Sequence, residues 1–273
     1  EDARSSCQTV YHCFVDFKKA FDSVWHEGLW ATLESMGASA KSVKVLRGLY
    51  EKSTMAVRIG TELGDWIKAS IGSRQGDPIS PLLFIALLER AMEKMEKSEM
   101  GGIDIGGRTI KDLRFADDID LLATSAGGLQ MLIELTHDGG RDYGLHINKD
   151  KTKVMISGAN SDKAEFQIES EKLERVDQFV YLGSLITSDN NCSKEIDRRV
   201  AIARGMFASL KEIWKSGNVS IRTKLRIVET CVFSTLLYAC ETWTVKKRDK
   251  DRLEAFEMEC YRKMLRISWR HRE

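Results

Sequence analysis

At 273 residues the chain can bury one large core or two modest ones, and its 42% hydrophobic and 30% charged residues are typical of a globular protein. No apolar run reaches the roughly 20 residues of a membrane helix, and no secretory signal, tandem repeat or low-complexity tract is evident, so membrane-spanning and solenoid classes are set aside. Net charge is only +1 but unevenly placed: from Asp189 to Glu273 nineteen Lys and Arg meet twelve Asp and Glu, which makes that stretch +7 and leaves −6 upstream. A basic C-terminal third beside an acidic remainder suits a nucleic-acid clamp, the plain alternative being a solvated helical surface.

In chain order, Val10-Tyr11-His12-Cys13-Phe14-Val15 reads as a buried strand that delivers Asp16 at its end, because β-branched, aromatic and apolar residues succeed one another almost without a break. Lys18-Lys19-Ala20-Phe21-Asp22 then turns toward a helix that Asp22 is placed to cap. Helices are expected over residues 27–36, closed by Gly37, and over 39–51, where Val43, Leu46 and Tyr50 share a face. Residues 55–59 and 66–71 alternate and read as a hairpin. The helix opened by Pro81 runs to about residue 97 and is apolar nearly all round at first, so its start should lie buried under the sheet. Short strands come next around 103–105 and 108–110, turning at Gly106-Gly107. A helix over 126–143 should break at Gly139-Gly140, since each Gly costs about 1 kcal/mol relative to Ala. A strand through 154–156, more strands over 166–186, and helices at 193–214, 220–237 and 248–267 complete the chain. The period turns helical past Ser188, which predicts domains of 1–187 and 188–273.

Three stretches carry chemistry. Leu113-Arg114-Phe115-Ala116-Asp117-Asp118-Ile119 looks like two short strands meeting at a tight turn that holds two adjacent carboxylates. Like charges side by side call for a cation, and oxygen ligands without Cys or His nearby point to Mg²⁺ or Mn²⁺ rather than zinc; a solvated turn is the ordinary alternative. Asp16, leaving a core strand, is costly to desolvate without a partner. Facing Asp117 and Asp118, it would complete a cluster able to hold two ions about 3.5–4 Å apart for in-line displacement at phosphorus. Asp120 is expected to point away from Asp118 into solvent. The third stretch, Ser73-Arg74-Gln75-Gly76-Asp77-Pro78-Ile79-Ser80-Pro81, holds both prolines, and a loop opening a helix suits contact with a nucleotide, or is simply a helix cap. The six cysteines (Cys7, Cys13, Cys192, Cys231, Cys240, Cys260) form no Cys-x-x-Cys pair and read as reduced thiols of an intracellular protein. The five histidines show no triad or metal spacing.

FVDFKKAFD, SRQGDPISPLLF and FADD, in that order, resemble motifs A, B and C of reverse transcriptases, in wording nearest to retrotransposons lacking long terminal repeats. The stretch 144–153 is similar to motif D, Phe179-Val180-Tyr181-Leu182-Gly183 to motif E, and the tail from Cys240 to Trp269 to the segment after the catalytic core of such proteins. The resemblance implies an α+β fold: a right-hand polymerase palm, an antiparallel sheet packed on helices with partial fingers, then an all-helical thumb-like domain. It implies RNA-directed DNA synthesis from a DNA primer, an RNA template and dNTP with two Mg²⁺ (or Mn²⁺), in the nucleus or cytoplasm, with no membrane partner.

By the same resemblance Asp16, Asp117 and Asp118 are metal ligands, although alternation along a strand leaves Asp118 open as a support instead. Lys151 would protonate the leaving pyrophosphate, against the plainer reading of one lysine in a charged loop. Phe21 would exclude a 2′-hydroxyl, or is a core ring. Phe17, Phe115, Gln75, Gly76 and Arg74 would lie at the nucleotide and template, Arg74 equally well making a surface salt bridge. Tyr181, Leu182 and Gly183 would hold the primer end. Only about fifteen residues precede Asp16, so most of the fingers and the endonuclease of a parent polyprotein are expected to be missing. A catalytically silent, nucleic-acid-binding remnant is therefore the second reading.

Overall fold

The computed structural model describes residues 9–74, 76–158 and 164–268. Its backbone divides into two units, one up to Val176 and one from Asp177.

The first unit begins with β1 (Val10–Val15), a 3₁₀ turn at Ala20–Ser23, α1 (His26–Ser35) and α2 (Ala40–Glu51). The Ser39 hydroxyl accepts from the Ser42 amide and starts α2. The expected hairpin is two stacked pairs: β2 (Thr54–Met55) with a later β5 (Ile67–Lys68), enclosing β3 (Arg58–Ile59) with β4 (Glu62–Leu63). Next come α3 (Ser80–Glu96), β6 (Ile103–Ile105), β7 (Arg108–Ile110), β8 (Asp112–Phe115), β9 (Asp118–Ala123), α4 (Ala126–Asp142) and β10 (Lys153–Ser157). Short strands β11 (Gln167–Ile168), β12 (Glu171–Lys172) and β13 (Glu174–Arg175) close the unit.

Five strands form the main sheet, in the order β13-β10-β1-β9-β8. β1 runs antiparallel to both neighbours, with Val15 opposite Ile119 and Cys13 opposite Leu121 and Val154. Alternation sends Tyr11, Cys13, Val15, Ile119, Leu121, Val154 and Ile156 to one face, where they join the core with α3 and α4. On α3 the buried Leu83, Phe84, Leu87, Leu88, Ala91, Met92 and Met95 recur at helical spacing, each large side chain stabilising by roughly 1.5–3 kcal/mol. The start of α3 is buried on that side only: Leu82 and Ile85 are exposed, contrary to the expectation from composition.

The expected break at Gly139-Gly140 is absent, and α4 is continuous through both. A Cβ on Gly139 would stand 2.1 Å from the Ala91 carbonyl oxygen, so the glycine is there to let α3 and α4 meet.

The second unit opens with the hairpin β14 (Gln178–Tyr181) and β15 (Ser184–Thr187). The division between units thus precedes the change of period at Ser188. Then come helices α5 (Ser193–Ser209), α6 (Lys211–Lys215), α7 (Ile221–Ile227), a π-helical turn at Val228–Phe233, α8 (Ser234–Leu236) and α9 (Lys247–Leu265). They share a core of Ala203, Phe207, Trp214, Val228, Val232, Leu236, Phe256, Cys260 and Met264. Among the described residues no helix is long and apolar enough to cross a membrane.

Candidate active site

Antiparallel pairing of β1 with β9 decides where the carboxylates go. Val15 opposite Ile119 is the last pair of the ladder, so Asp16 and Asp118 take the next facing positions. Asp117 lies in the tight turn from β8 to β9, beside Ala116, whose φ of 55° is a left-handed conformation rare for a residue with a Cβ. The Asp118 carboxyl is held above the usual carboxylate range, first by partial burial and then by the negative charges of Asp117 and Asp16. The antiparallel register thus carries Asp16 to the turn that holds Asp117 and Asp118, which local sequence spacing alone could not establish.

Asp16 is anchored from below by the segment after α4. Its amide donates to the Thr152 hydroxyl at 3.3 Å and its carbonyl accepts from the Asn148 amide at 2.7 Å. Its side-chain Oδ2 is buried without a hydrogen-bond partner, and the Lys151 ammonium stands 3.8 Å away, beyond hydrogen-bonding reach. An orphaned carboxylate oxygen in a set of hard oxygen donors fits a divalent ion of the Mg²⁺ type. Among the described residues no three His, Cys, Asp or Glu side chains are already grouped to close around one ion.

The motif B stretch is stitched to the 3₁₀ turn after β1. The Ser73 amide and hydroxyl both donate to the Phe21 carbonyl, at 2.7 and 3.0 Å, and the Gly72 amide donates to the Val24 carbonyl. Phe21 is half-buried and stacks on Phe84 with ring centroids 4.4 Å apart. Gly76, at φ 89°, is exposed with open space where a side chain would be. Gln75 lies outside the described residues. Among the described residues Arg74 makes no salt bridge: it donates to the Ser53 hydroxyl at 3.1 Å and to the Leu49 carbonyl, and its guanidinium lies 5.5 Å from the Tyr50 ring. It closes the C-terminal end of α2.

Phe115 pairs with Asp118 across the hairpin and is 68% exposed, so its ring stands free beside the carboxylates. Phe17 is different. At 4% exposure it is a core residue, bridged to Ile147 and packed near Gly140, and its ring is not available to a nucleotide. Asp120 also departs from expectation. Residues two apart on a strand share a face, so it lies on the Asp118 side, 2% exposed, 3.0 Å from His12 Nδ1.

In the second unit, Tyr181-Leu182-Gly183 forms the tip of the β14–β15 hairpin, with Leu182 and Gly183 at φ 46° and 77°. Both tip carbonyls are held: Leu182 by the Tyr238 hydroxyl at 2.7 Å, Gly183 by Arg198 and Arg199. Buried Glu195 pairs with both arginines, and the Arg199 guanidinium stacks 4.5 Å above Tyr238. Sequence reasoning misses this clamp. The spacing of Glu195, Arg198 and Arg199 on one helix is visible, but their target is not.

Comparison with known proteins gives a consistent picture. The family model described as reverse transcriptase (RNA-dependent DNA polymerase) matches residues 2–186, and one for a domain of unknown function matches 206–238. The Pol polyprotein of type-1 retrotransposable element R2 from Nasonia vitripennis is 28% identical over 77% of this chain and 22% of its own length. That of type-2 retrotransposable element R2DM from Drosophila melanogaster is 31% identical over 66% of this chain and 18% of its own. The chain therefore spans about a fifth of the length of these relatives. Among solved structures, telomerase from Candida albicans in complex with a TWJ fragment of telomeric RNA is similar with a TM-score of 0.51 at 12% identity, over 95% of this chain and 49% of that one. This last likeness is one of fold.

Proposed function

The chain belongs to the reverse transcriptase family of non-long-terminal-repeat retrotransposons, and from that premise we propose that it is the polymerase core of such an element, extending a DNA primer with dNTP on an RNA template. The observation that supports this reading is the register of β1 against β9, which carries Asp16 toward the Asp117-Asp118 turn with one Asp16 oxygen buried and unpartnered. Adjacent carboxylates at the ends of two inner strands suit a site that takes a cation.

Asp16 and Asp117 would hold the ions, with Asp118 as third ligand or support. Two Mg²⁺, when bound, lower the pKa of the primer 3′-hydroxyl and neutralise charge on the transferring phosphate. Lys151, whose ammonium lies 3.8 Å from Asp16, would give its proton to the departing pyrophosphate. Phe21, fixed by Phe84 behind it, would close the space next to the sugar C2′ and so favour dNTP. Phe115, Gln75 and Gly76 would border the nucleotide and template. The Tyr181-Leu182-Gly183 tip would hold the primer strand.

The test is primer extension on an RNA template with Mg²⁺, on the chain extended at its N-terminus and on Asp16→Asn and Asp117→Asn variants. Each substitution should reduce extension by at least about 10²–10³-fold, the scale for losing one electrostatic stabiliser. Extension at the parent rate in either variant would refute the assignment. RNA binding without any extension in the parent would favour the silent remnant.

A further inference from the structure

The nucleic-acid reading leaves one feature of the first unit unused. Along the outer face of α2 a cleft of about 510 Å³ is lined by Lys41, Lys44, Val45, Leu49 and Lys52, with Arg74 at its end, and by no carboxylate. The unit as a whole carries more Asp and Glu than Lys and Arg, so an all-cationic lining departs from its surroundings. On the neighbouring face Arg47 is paired with Glu27 at 2.9 Å, whereas the lysine row is left to solvent.

We propose that this cleft is a track for the sugar-phosphate backbone of a single strand, the template approaching the motif B loop. The row from Lys41 to Lys52 covers about 16 Å at the helical rise of 1.5 Å per residue, enough for several consecutive phosphates. Between the lysines stand the exposed side chains of Val45 and Leu49, apolar surface that unpaired bases can cover and a paired duplex cannot. The track ends at Arg74, whose guanidinium is fixed on the end of α2, one residue before Gln75-Gly76. That continuity favours a nucleic acid over an acidic protein partner. The inference rests on the polymerase reading for the identity of the strand, but not for the binding itself.

The experiment is fluorescence anisotropy with a labelled single-stranded RNA of about a dozen nucleotides, titrated from about 50 to 200 mM salt. The triple variant K41Q/K44Q/K52Q should bind roughly tenfold more weakly at the low-salt end, and its slope of log K against log salt should be shallower by about 2, near 0.7 for each lost phosphate contact on a single strand. A control of equal charge change, K68Q/K97Q/K172Q, should keep the parent slope. The same loss in the control, or the same loss on a blunt duplex, would overturn the track. Parent affinity for RNA with loss of binding to a polyglutamate peptide would overturn it in favour of an acidic protein. The outcome is separable from the catalytic reading, because the Asp117→Asn extension assay reports on the carboxylates alone.

Discussion

Gly139 on α4 lies so close to Ala91 on α3 that a single methyl group would reach within 2.1 Å of the Ala91 carbonyl oxygen. Backbone oxygen cannot swing aside as a side chain can, so the two helices must part to admit it. Gly139→Ala should therefore lose about 1–3 kcal/mol of unfolding free energy despite the better helix propensity of alanine. Gly127→Ala, on the same helix with nothing near its Cβ, should be neutral or gain up to about 1 kcal/mol. Urea titrations of the two variants, compared by midpoint, check the contrast.

That contact also marks the limit of what is legible in the sequence. Helices and strands come from local periodicity and the motifs from their resemblance to a family, and α3, α4 and α9 lie close to where spacing puts them. Spacing cannot supply the partner. The penalty for two central glycines is a property of the residues, but the reason to accept it is a carbonyl 48 positions away in the chain. Arg74 is the same case: a basic residue in a loop could face phosphate or acid, and only the tertiary fold turns it onto the end of α2. Phe17 and Asp120 depart from expectation for a different reason. Phe17 follows Cys13 and Val15 onto the core face, whereas Asp120 shares the Asp118 face but lies further along β9, where it is buried against His12.

Asp120 yields a pH prediction. Burial raises its carboxyl above the ordinary range, against the opposing influence of the His12 hydrogen bond. A carboxyl raised in the folded state favours folding while protonated, so its contribution is complete below the unfolded value near 3.8 and is lost as pH rises through the folded value. Asp120→Asn keeps a group for His12 and removes the charge. Its stability relative to the parent should therefore be greatest at pH 8 and decline on acidification, read from the two denaturation midpoints. A parent whose advantage over the variant grew with pH would contradict this.

Phe21 is tested through its support. Because it stacks on Phe84 rather than standing alone, Phe21→Val should open space at the sugar and also cost about 1–2 kcal/mol of packing. The expected kinetic result is a rise in rNTP incorporation relative to dNTP. Phe84→Leu, which touches no substrate in the proposed site, should give a smaller shift in the same direction by loosening the ring. Unchanged sugar discrimination in Phe21→Val would assign the ring to the core alone.

Tyr238 and Arg199 hold the hairpin tip at carbonyls whose residues both adopt positive φ, and the cost of that conformation, about 1 kcal/mol or more for Leu182, is offset by the hydrogen bonds they supply. Tyr238→Phe deletes one neutral donor, and a loss of about 1 kcal/mol from the helical unit is expected. Arg199→Met is more severe, since it leaves the buried Glu195 carboxylate with Arg198 alone; the loss should exceed that of Tyr238→Phe and stay below the about 3–5 kcal/mol of a buried charge left wholly unpaired. If the tip positions the primer, Tyr238→Phe should raise the KM for primer-template several-fold while the KM for dNTP stays as in the parent. Equal changes in both would show that the hydroxyl serves folding and not the placement of the strand.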